Sequence, residues 1–184
     1  MDANLYQQIE KSTAHRPSRD FNANLIFENP ELLGDLIHVA LDTKDKNHDK
    51  ACWILELVIE KNPDWLSPYL KIFCKALPDF IQEGAIRSVS KICWFAAMNH
   101  LRKLKSGENF LSEKQLKQLT EACFDWLIGD TKVAAKAYSM RALFEIGKLQ
   151  DWIYPQMRSV LETGYPEHSP AYRAAAKDLL RKMK

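Results

Sequence analysis

Asp64-Trp65-Leu66-Ser67-Pro68 returns as Asp151-Trp152-Ile153-Tyr154-Pro155, 87 positions further along the chain. Cys52-Trp53 returns as Cys93-Trp94, 41 positions on. A period of about 40 residues is the length of one helix pair, and 87 fits two. The spacing therefore predicts stacked helix pairs, an α-solenoid whose units each touch their neighbours. Such architectures hold partners far more often than they host chemistry.

Outward from these anchors, nearly every segment carries helical periodicity. The pattern predicts helices over 2–14, 18–28, 31–41, 48–61, 65–77, 84–104, 113–128, 132–147 and 151–163, with a last helix opened by Ser169-Pro170. Pro17 and Pro68 fall in first turns, where a missing N–H costs no internal bond. Ser112-x-x-Gln115 reads as a capping box, Gly129 as a stop, and Asp130 or Thr131 as the next cap. That makes five helix pairs, the first of which fits the repeat poorly. The expected organisation is one domain over 1–184, with 1–29 an atypical N-terminal cap and 30–184 the repeat units.

The chain has 184 residues, 46% hydrophobic and 27% charged, an ordinary balance for a soluble globular protein. Six glycines are too few for a turn-rich all-β fold. Apolar runs such as 92–98 are too short to span a bilayer, and no secretory leader opens the sequence. Cys52, Cys74, Cys93 and Cys123 each sit in an apolar helical stretch with no Cys-x-x-Cys spacing. Buried thiols in a reducing cytoplasm are expected. Net charge is uneven: residues 1–83 carry nine basic and 14 acidic side chains, residues 84–184 carry 17 and 10. The second half is suited to an acidic partner and the first is not.

Stacking the second helix of each pair on Cys52 and Cys93 places Lys46, Arg87, Lys132 and Arg173 in one column. Lys50, Lys91, Lys136 and Lys177 form a second column four residues later. The spacings are 41, 45 and 41 in both. Four residues is about one turn, so each pair shares a helix face. Arg181 and Lys184 extend the basic stripe along the last helix.

Ile86-Arg87-x-x-Ser90, Lys132-Val133-Ala134-Ala135 and Tyr172-Arg173-Ala174-Ala175-Ala176 resemble the Val-Arg-x-Ala-Ala core of the HEAT repeat's inner helix. The resemblance covers roughly residues 30–184; Lys46-Asn47-His48-Asp49 departs from it, lacking the small apolar pair. It implies a right-handed α–α superhelix, HEAT- or armadillo-like, of about four to five helix pairs. It also implies that the first basic column pairs with carboxylates of neighbouring units. Ala122-Cys-Phe-Asp-Trp-Leu-Ile128 with Lys132-Val-Ala-Ala-Lys-Ala-Tyr-Ser-Met140 further resembles a family of small bacterial HEAT-like proteins. Its members are sometimes labelled adenylosuccinate lyase. Lyases of that superfamily are more than twice as long and carry a Ser-Ser-x-Met-Pro-x-Lys-x-Asn loop, which this sequence lacks.

Catalytic constellations are not legible. Glycosylases of HEAT-like build set an acidic residue beside a basic cleft, and nothing marks such an aspartate here. His15, His38, His48, His100 and His168 are scattered, and His48 with Cys52 makes only half of a zinc site. Glu56 and Glu60, one turn apart, read as a solvated face, and the five tryptophans as core. The expectation is therefore a cytoplasmic, non-enzymatic binding module without cofactor or metal. An acidic protein partner would lie on Lys50, Arg87, Lys91, Lys132, Lys136, Arg173, Lys177 and Arg181. Nucleic acid is the alternative ligand for the same face. Oligomeric state is left open.

Overall fold

The computed structural model describes residues 1–164 and 169–183. Among these it contains ten α-helices and no strand. Asp2 starts α1 (Ala3–Lys11), its carboxylate accepting the Leu5 N–H at 2.7 Å. α2 (Arg16–Glu28) carries Pro17 in its first turn. A 3₁₀ turn over Pro30–Leu32 leads into α3 (Leu33–Leu41), and α4 runs over His48–Lys61.

The stretch after α4 departs from the expected helix. Pro63–Tyr69 is 3₁₀, with Pro68 inside it, and α5 spans only Leu70–Ala76. A proline ring crowds the carbonyl four residues back, so α-geometry begins only once Pro68 is passed. After a further 3₁₀ turn at Leu77–Asp79 comes α6 (Glu83–Lys105), then α7 (Glu113–Ile128). The capping box before α7 is formed: Gln115 N–H donates to Ser112 Oγ at 3.3 Å, and Ser112 N–H to Gln115 Oε1 at 2.8 Å.

α8 (Val133–Ile146) corrects a second expectation. Its N-cap is Lys132, with no side-chain cap, because Thr131 Oγ1 instead donates to the Trp126 carbonyl at 2.6 Å. The threonine closes the end of α7 rather than opening α8. α9 spans Ile153–Gly164, and α10 (Pro170–Lys182) is capped by Ser169 as expected.

The helices α2, α4, α6, α8 and α10 pack in succession, each on the next. From the other side α3 lies on α4, α7 on α8, and α9 on α8 and α10, while α5 meets α7. The substantial contacts join elements of the same or adjacent pairs. One apolar core runs through the stack from Leu5 to Met183, and the repeat-equivalent Cys52 and Cys93 are both fully buried in it. Among the described residues no helix is long and apolar enough to cross a membrane.

Candidate binding face

The first basic column meets carboxylates of preceding elements. Lys46 Nζ lies 2.5 Å from Glu10 Oε1, Arg87 Nη1 lies 3.3 Å from Glu56 Oε2, and Lys132 pairs with Glu83. These contacts tie α1 to the approach of α4, α4 to α6, and α6 to the cap of α8. Arg173 is exposed and has no carboxylate partner among the described residues.

The second column divides. Lys50 Nζ donates to the Glu10 carbonyl at 2.5 Å. Lys91 is only 12% exposed and reaches Glu56 at 3.0 Å and Glu60 at 3.1 Å. Burial alone would lower the Lys91 pKa, but the two carboxylates outweigh it and raise it. Lys136 is buried without an ion pair among the described residues. It lines a cleft with Leu127, Ile128, Val160 and Tyr172. Burial lowers its pKa, opposed by the more distant Asp130. Among the described residues Lys177 is exposed with no carboxylate partner, and Arg181 bonds only to Asp178 of its own helix, at 3.1 Å. Lys184 lies outside the described residues.

Glu56 is not part of a solvated face. It is 1% exposed and accepts from Ser88 Oγ at 2.6 Å as well as from Arg87 and Lys91. A buried carboxylate must be fully hydrogen-bonded, and three donors from one face of α6 supply that. Glu60, one turn on, is 41% exposed and holds the outer side of Lys91.

The tryptophans expected in the core divide: Trp126 belongs to it, Trp65 and Trp94 pack against it, and Trp152 departs from it. Trp126 is buried, but Trp53, Trp65 and Trp94 are half-buried and Trp152 is 53% exposed, stacked on Phe124 at 5.9 Å. Trp94 of α6 stacks on Tyr138 of α8, with centroids 6.2 Å apart and planes at 22°. The exposed Arg141 guanidinium lies over Trp94 at 4.9 Å. Lys91 reaches the Tyr138 ring at 5.7 Å. Arg87, Lys91, Trp94 and Met98 thus form one stripe of α6, and Met98 is 42% exposed. Sequence reasoning missed Arg141. Its signal was the Tyr138-x-x-Arg141 spacing, which puts ring and cation on one face.

Cys52 Sγ donates to the Ala40 carbonyl at 3.3 Å, and all four cysteines are free and buried. Among the described residues no three metal-ligating side chains cluster. No protein-family model, no curated protein and no solved structure matches the chain.

Proposed function

We propose that this chain is a non-enzymatic, HEAT-like right-handed solenoid that holds an acidic protein segment on the exposed side of its α6–α8–α10 row. The observation that carries the reading is the Arg141–Trp94–Tyr138 stack, half-open to solvent beside Met98. Tryptophan, tyrosine and arginine are the residue types that dominate interface energetics. The adjoining α10 adds Arg173, Lys177 and Arg181, three cations one turn apart that no other helix neutralises among the described residues. Lys50, Arg87, Lys91 and Lys132 are already held within the protein. They contribute to the field of the face more than to direct contact. Four buried free thiols fit a reducing, cytoplasmic setting.

Fluorescence anisotropy with a labelled polyglutamate peptide and a labelled DNA duplex, at low and physiological salt, tests this reading. The peptide is expected to bind. The Arg141→Glu/Arg173→Glu/Lys177→Glu variant should fold and bind about tenfold more weakly or worse. Absence of peptide binding at low salt sinks the proposal. Duplex binding with a steep salt slope would move the function to nucleic acid.

A further inference from the structure

A cleft of about 390 Å³ opens where α2, α4, α6 and the start of α8 meet. Its lining includes Arg19, Trp53, Glu83, Gly84, Arg87 and Lys132. The three cations come from three separate elements. Two of them already hold carboxylates, Lys132 on Glu83 and Arg87 on Glu56. Arg19 differs: it has no ion pair among the described residues, and its Nε is buried with no hydrogen-bond partner. Buried donors are ordinarily paired, so an acceptor entering the cleft would find a free Nε–H.

Other features point to the same class of occupant. α6 is 23 residues long and begins at this cleft, and Gln82 gives it no side-chain cap. Its first-turn N–H groups have no side-chain cap, at the end of the helix that favours negative charge. Gly84, in that turn, faces the Trp53 indole: a Cβ there would make ordinary contact, 3.5 Å from Trp53 Nε1 and 3.7 Å from Asp49 Oδ2. The half-buried Trp53 indole supplies a flat apolar wall. The volume is within the range of sites for small molecules.

We propose that this cleft binds a small organic oxyanion, a phosphate or carboxylate carried on a flat apolar body, with Arg19 as the anchoring cation and Trp53 as the wall. Glu83, Glu56 and Asp49 match the three cations charge for charge, so the cleft offers a free donor rather than a strong positive field. That balance selects a compact ligand over a polyanion such as nucleic acid. The cleft shares Arg87 and Lys132 with the field of the docking face but none of its contact residues Trp94, Arg141, Arg173 and Lys177, and it stands whether or not that face binds a protein.

Phenyl phosphate is the probe, followed by calorimetry and by tryptophan fluorescence on the whole chain. It should bind with a dissociation constant on the order of 1 mM or tighter. Phenol and inorganic phosphate, each lacking one half of the recognition, should bind about tenfold more weakly. Arg19→Gln should weaken phenyl phosphate about tenfold, and Trp53→Phe should remove most of the fluorescence change. Lys177→Glu, on the docking face, should leave the affinity unaltered. Benzoate in place of phenyl phosphate separates a carboxylate site from a phosphate site. Should Arg19→Gln fail to fold by circular dichroism, Lys132→Gln takes its place, since that side chain is 72% exposed. The proposal is overturned if phenyl phosphate gives no heat up to about 10 mM, or if folded Arg19→Gln or Lys132→Gln binds as the parent does.

Discussion

Glu56 and Lys136 are buried charged side chains with opposite fates. Glu56 accepts three donors from α6, whereas Lys136 has no ion pair among the described residues. Removing one member of a buried ion network strands the others, so Glu56→Ala should cost about 3 kcal/mol in urea unfolding. Replacing both ends, as Glu56→Leu with Lys91→Met, should recover much of that loss. Lys136 predicts the reverse. Its folded pKa lies below the unfolded value, so between the two the unfolded chain binds more protons and stability rises with pH. Lys136→Met should raise the melting temperature at neutral pH and flatten that alkaline rise; a lower melting temperature would refute the account. Neither fate was legible in the sequence. Glu56 and Glu60 have the spacing of a wet face, and only the packing of α6 on α4 brings Ser88, Arg87 and Lys91 to the first of them. Lys136 shares a column with Lys91, yet α6 offers it Ala97 where α4 offered Glu56, one repeat earlier.

Helix ends show why local readings succeed and non-local ones fail. The capping box at Ser112 and the cap at Ser169 lie within four residues of what they bond, so the sequence displays them whole. Thr131 has two candidate jobs within reach, the end of α7 and the start of α8, and composition alone does not choose between them. Gly147 reads simply as a stop to α8, but its role is spatial. Its backbone is helical, at φ −61°, so no strain explains it. A Cβ there would overlap the Tyr154 ring, which stacks on Phe144 at 5.6 Å and donates its hydroxyl to the Phe144 carbonyl at 3.0 Å. Gly147→Ala should therefore displace Tyr154 from α8 and cost about 2 kcal/mol, read by thermal melting. Adding Tyr154→Ala should remove most of the glycine's importance, because the overlap would be gone.

For the molecule as a whole, the helical class and the order of elements were readable from the 41- and 87-residue echoes. The pairing of the first basic column with carboxylates of neighbouring units was expected and is met at Lys46, Arg87 and Lys132; the division of the second column was not readable, because the partners of Lys50 and Lys91 lie on other elements. The same cross-ties couple neighbouring pairs. Lys91 alone touches α4 through Glu56 and Glu60 and α8 through Tyr138. Burial pushes the Cys74 thiol up to about 12 and raises Cys52 and Cys93 as well, so these three thiols stay protonated at neutral pH. A solenoid of the proposed kind, with substantial contacts confined to adjacent pairs, has a mechanical corollary. Stretched by its two ends in an optical trap, the chain should yield as a staircase, shedding helix pairs in small steps at low force. A single high-force rip would mean that the pairs are locked together across the full length. On the proposed binding role, a chain that yields and recoils in increments would keep its grip on a held segment while part of it is unwound.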